Sequence, residues 1–169
     1  MKNFLTFCAA ILFTTASFAQ EDAIDKFFNS YQDNKEFTFV SISPKMFQMF
    51  SKASSQIEDQ ELKELIAGIK GLKVLMTKVN PNKYYADALK KIPTREYETL
   101  ITVREKEQNI KFLTKTTGDV ISELLLFVGG NDEFVLMSFV GNLDLNKISK
   151  LASKVNISGG EYLKKLDKK

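Results

Sequence analysis

The run YETLITVREKEQNIKFLTKTTGDVISELLLFVGGNDEFVLMSFVG, residues 97–141, reads as four consecutive β-strands. The stretches 97–104, 110–116, 120–128 and 134–140 are rich in β-branched and aromatic residues, which suit a pleated, half-buried surface. Short polar or glycine turns separate them: Lys106-Glu107-Gln108-Asn109, Thr117-Gly118-Asp119 and Gly129-Gly130-Asn131-Asp132. Connections this short join antiparallel neighbours, because a parallel return needs a crossover of about a dozen residues. Within the ladder, Leu124-Leu125-Leu126-Phe127-Val128 is apolar on both sides, and 134–140 is nearly so. These two strands are expected at the buried centre of the sheet. The first two alternate, with Lys111, Lys115 and Glu98 opposing apolar neighbours, and read as strands with one wet face.

Upstream, two more strands and four helices are expected. Ile24, Phe27, Phe28 and Tyr31 recur at helical spacing over 21–31, with Glu21 and Asp22 in the opening turn. A strand over 37–42 is followed by Ser43-Pro44, a cap and a first-turn proline, and a helix presenting Met46, Phe47, Phe50 and Ala53. The polar stretch 54–60 is a loop. Residues 61–69 carry Leu62, Leu65, Ile66 and Ile69 on one helical face, ended with the help of Gly68 and Gly71. Residues 72–79 form a strand apolar on both faces. Asn80-Pro81 opens a further helix whose stripe is Tyr84, Tyr85, Ala88, Leu89 and Ile92, and Pro93 stops it. After the ladder, Asp144 caps a fifth helix with Leu145, Ile148, Leu151, Ala152 and Val155 inward, and 161–169 is a lysine-rich tail. The expected architecture is α+β: an antiparallel sheet of a four-strand C-terminal meander plus two earlier strands, covered by about five helices.

The N-terminus reads differently from the rest. Met1-Lys2-Asn3 is a short basic segment, 4–13 is an apolar run, and Ser17-Phe18-Ala19 places small residues at −3 and −1. That order is a secretory signal peptide cut after Ala19, with an apolar core too short to span a bilayer. Cys8 follows Phe7 inside that core, which does not suit lipid attachment. Residues 20–169 then form a single domain without cysteine, and therefore without disulfides. The expected location is the periplasm or the cell surface. No second apolar run is long enough to cross a membrane.

Chemistry is thinly supplied. The chain has no histidine and no tryptophan, and its formal net charge of +3 shows no clustered basic face for nucleic acid. The commonest general base, the Cys–His and Ser–His pairs and nearly all zinc or copper sites are thereby removed. No catalytic, cofactor or metal residue stands out. Carboxylates remain: Glu96 and Glu98, two apart on an expected strand and so on one face; Glu105 and Glu107 near a turn; and Asn131-Asp132-Glu133, which lacks calcium-loop spacing.

Taken in order, several short motifs resemble the domain-of-unknown-function 4252 family. They are Phe39-Val40-Ser41-Ile42-Ser43-Pro44-Lys45-Met46-Phe47, Ile69-Lys70-Gly71-Leu72-Lys73-Val74-Leu75, Tyr97-Glu98-Thr99-Leu100, and 134–141 with Leu143-Asp144-Leu145. The resemblance spans almost all of 20–169, and the order of the motifs carries it. It implies a small exported protein of Bacteroidetes-type bacteria, sometimes a lipoprotein, and it supplies no catalytic residues. Three functions are open: a non-enzymatic envelope domain that binds a protein or another envelope component; a carrier with an apolar pocket between helices and sheet; and a carboxylate-dependent hydrolase. For the first two, the contact residues would be Phe27, Phe28, Met46, Phe47 and Phe50.

Overall fold

The computed structural model describes residues 22–53, 60–118 and 120–144. The signal segment, the loop 54–59, the expected fifth helix over 145–155 and the lysine-rich tail lie outside the described residues. Among the described residues the elements are α1 (Ala23–Tyr31), β1 (Thr38–Ile42), α2 (Pro44–Ala53), α3 (Gln60–Gly68), β2 (Ile69–Thr77), α4 (Pro81–Lys91), a 3-10 turn (Thr94–Glu96), β3 (Glu98–Glu105), β4 (Gln108–Thr117), β5 (Val120–Gly129) and β6 (Phe134–Leu143). This is an α+β fold on a six-stranded sheet, in the order β1-β2-β6-β5-β4-β3, with every neighbouring pair antiparallel. The meander expected from 97–141 is present, and β5 and β6 are the two central strands of the six-stranded sheet. Four α-helices are described rather than five.

Local chemistry sets most boundaries. Asp22 is the cap of α1, not part of its first turn: its carboxylate accepts from the Ile24 backbone N–H at 3.1 Å. Before α2, the Ser43 hydroxyl accepts from the Met46 N–H at 3.4 Å, and Pro44 takes the first helical position. Pro81 likewise begins α4, but the Asn80 side chain makes no cap. Instead Asn80 adopts the left-handed conformation (φ 47°), which Asn tolerates better than most residues, and turns the chain out of β2. Between Pro93 and β3 the 3-10 turn takes in Glu96, where the sequence predicts a strand.

The largest boundary correction concerns β2 and β6. Strand β2 starts at Ile69, where a helix end was expected, and closes at Thr77 rather than 79. No loop intervenes between α3 and β2. Gly68 and Gly141 make this possible: a Cβ on Gly141 would lie 2.3 Å from the Gly68 carbonyl oxygen, and Gly141 has φ 154°. The two backbones touch, so β6 continues past 140 to Leu143.

Helices cover both faces of the sheet. On one face α1 and α4 bring Ile24, Phe27, Phe28, Tyr84 and Ala88 against Leu113, Leu125, Phe127 and Leu136. On the other face α2 packs on β2, and α3 on β2 and β6. There Phe47 joins Leu72, Val74, Phe112, Leu126, Val128, Met137 and Phe139. The continuous apolar run of β5 follows directly, because alternate residues feed two separate cores.

Candidate functional site

Two features stand apart from ordinary packing. The first is the outer surface of α2. Phe47 is buried and ties the helix to the sheet, while Met46, Met49 and Phe50 are 44%, 55% and 48% exposed. Large apolar side chains grouped on one helix surface mark contact sites more often than scattered ones do. Methionine adds an adaptable, polarizable surface.

The second is a cavity of about 520 Å³ between the start of α1 and one end of the sheet. Asp22 and Asp25 come from the beginning of α1, Ser41 and Ser43 from the end of β1, and Lys70 and Lys73 from the start of β2. Ser122 and Glu123 of β5 and Ser138 of β6 complete its polar lining. Among the described residues the register shifts fall at this same end: Ile69/Gly71 in β2, Thr99/Ile101 in β3, and Ile121/Glu123 in β5, where Ser122 is passed over in the pairing with both β4 and β6. Bulges re-aim side chains and are common beside binding sites.

Glu123 is the centre of this end. It is only 9% exposed and is the one charged side chain among the buried described residues. The Tyr97 hydroxyl donates to its Oε2 at 2.7 Å, and the Ser138 hydroxyl donates to its Oε1 at 2.9 Å. Burial raises the Glu123 pKa above the ordinary carboxylate value; the two hydrogen bonds offset this only in part. Burial and the facing carboxylate push the Tyr97 phenol up, so the phenol stays a donor. Asp25 forms an ion pair with Lys73 at 2.7 Å. Lys115 is drawn to Glu96 at 3.1 Å and lies over the Tyr97 ring.

The residues named from sequence are distributed as follows. Phe27 and Phe28 lie in the core under α1, and Phe47 lies in the core on the opposite face. Met46 and Phe50 are exposed on α2. The five therefore line no common pocket, because the sheet stands between them. A buried apolar core lies between helices and sheet on each face. Glu96 and Glu98 do not form a strand pair, since Glu96 sits in the 3-10 turn and binds Lys115. A hollow of similar size, about 520 Å³, separates the ends 105–108 and 130–132. Its walls are mostly exposed hairpin residues, where Asn131 donates to Glu107 and accepts from Asn82. Among the described residues no group of three or more His, Cys, Asp or Glu could hold a metal ion.

Sequence reasoning missed Glu123, Tyr97 and Ser138. Two signals were available. A lone carboxylate interrupts an apolar strand, and Gly71 and Gly141 lie inside strands, where isolated glycine points to a bulge.

A family model described as a domain of unknown function, DUF4252, matches residues 31–151. The chain belongs to the DUF4252 family. The matched span begins at the last residue of α1 and takes in all six strands with α2, α3 and α4. The DUF4252 span thus holds both the α2 surface and Glu123, while Asp22 and Asp25 precede it. No curated protein and no solved structure matches the chain significantly.

Proposed function

We propose that this protein is an exported, non-enzymatic interaction domain of the cell envelope, with α2 as its contact surface. One observation carries the reading: Met46, Met49 and Phe50 stand about half exposed on a helix whose inward residue, Phe47, already anchors it. The core has no need of these three side chains, and a partner would bury them. The segment 1–19 has the order of an export signal, which supports the location. Among the described residues no helix is long and apolar enough to cross a membrane.

A photo-crosslinking residue at Met49, compared with one at exposed Lys90 on the opposite layer, tests the reading in intact cells. Adducts are expected from position 49, to be lost when Met46→Ser and Phe50→Ser are added. Equal yields at 49 and 90, or none at either, overturn it. Fractionation of the same cells tests export separately; recovery of the unprocessed chain in the cytoplasm overturns that part.

A further inference from the structure

Asp22, the cap of α1, is part of the wall of the Glu123 cavity. Glu123, Ser138 and Lys70 line the same cavity. We propose that this cavity receives the α-ammonium end of a peptide.

Each Glu123 oxygen takes one hydrogen bond from a neutral hydroxyl and keeps acceptor capacity. Among the described residues no cation lies within ion-pair distance of Glu123. Lys115 acts on it from further away, with its own Nζ bonded to Glu96. Asp22 adds a second negative charge that acts on Glu123 through space. A buried carboxylate without a cation is costly, and an incoming ammonium relieves that cost. The hydroxyls of Ser41, Ser43 and Ser122 supply further acceptors for its N–H groups. Lys73 is held by Asp25, while Lys70, in the same lining, can meet a peptide carbonyl or carboxylate. The volume, about 520 Å³, falls in the range of small-ligand sites.

Peptide ammonium groups have two sources here. One is a separate peptide. The other is this chain: cleavage after Ala19 would leave the amino terminus at Gln20, two residues before Asp22. That second source rests on the export reading, and the first does not.

The test titrates L-alanyl-L-alanine and its N-acetyl derivative by calorimetry into chain 20–169. One preparation carries a free terminus, with intact mass confirming that Gln20 has not cyclised, and the other is acetylated there. The free dipeptide is expected to bind about ten-fold more tightly than the acetylated one. Glu123→Gln and Asp22→Asn should each remove that preference; Asn at 22 keeps an oxygen to cap α1. If the chain's own terminus occupies the cavity, the dipeptide binds only the acetylated chain. The free chain then melts higher than the acetylated one, and Glu123→Gln abolishes the difference. Binding to both chains assigns the site to a separate peptide. The proposal is overturned if neither chain binds the dipeptide and both melt alike, or if Glu123→Gln and Asp22→Asn leave binding unchanged. Sequencing the amino terminus of the cellular protein decides separately whether the cut falls after Ala19.

Discussion

At Glu123, a single residue makes the protein's response to acid unusual for a carboxylate. Most native carboxylates have lowered pKa values and add stability at neutral pH; this one is raised from 4.5, chiefly by burial. The unfolded chain therefore gives up the proton at lower pH than the folded chain does. The stability linked to this group is fully present below about 4.5 and is lost as pH rises through the elevated value. Glu123→Gln should remove that dependence, keeping an acceptor for Tyr97. Urea unfolding at pH 4 and pH 8 should show the wild type losing stability relative to the variant, by about 1.4 kcal/mol for each unit of elevation. Tyr31 behaves comparably at the alkaline end. Burial and its 2.7 Å bond to Asp87 raise its pKa from 10.0 to about 12. Tyr31→Phe should cost about 0.5–1.5 kcal/mol in thermal melts near pH 8. The wild type's advantage should shrink as pH rises from 10 toward 12, because the unfolded phenol ionises first. Sequence alone fixes the role of neither residue. A solvent-facing carboxylate would give the same sequence pattern as Glu123, whose burial beside Tyr97 and Ser138 comes from tertiary packing. Tyr31 read as one more member of an aromatic stripe.

Elements were more legible where side-chain period alone decides the outcome. The runs that became β5 and β6 are apolar on both sides, so no choice of face could leave them at an edge. Phe127→Ala on β5 should therefore cost about 3–5 kcal/mol by denaturant unfolding, since Phe127 is fully buried. Met49→Ser and Phe50→Ser on α2 should each stay within about 0.5 kcal/mol of the wild type, which separates a contact surface from a core. Element ends were harder to read, because they depend on tertiary contact. From sequence, Gly68 and Gly71 mark a helix end, with the next strand starting at Leu72. In fact Gly141 passes so close that the helix runs straight into β2. Gly141→Ala should destabilise by more than about 1 kcal/mol, through both its φ of 154° and the Gly68 carbonyl 2.3 Å from the new Cβ. A loss confined to a few tenths of a kcal/mol would show that the crossing can relax.

At the scale of the whole molecule, the order β1-β2-β6-β5-β4-β3 sets where stability is concentrated. Amide exchange should be slowest in β5 and β6 and fastest in β1 and β3, and measurable by mass spectrometry of peptic fragments. Comparable protection in β1 and β6 would contradict this gradient. The four-strand meander could be read from sequence because its links are short. The placement of β2 beside β6 could not, since it depends on a pairing that spans more than half of the described chain. That placement also has a temporal consequence. The strand that joins the two halves of the sheet is the last of the six to leave a ribosome or a pore. Until β6 arrives, β1 and β2 have one another but no sheet to join, and β5 has an open flank. The chain stays unlatched through most of its emergence and closes only when its keystone is delivered. A polypeptide built this way resists premature folding through connectivity, without help from a weak core.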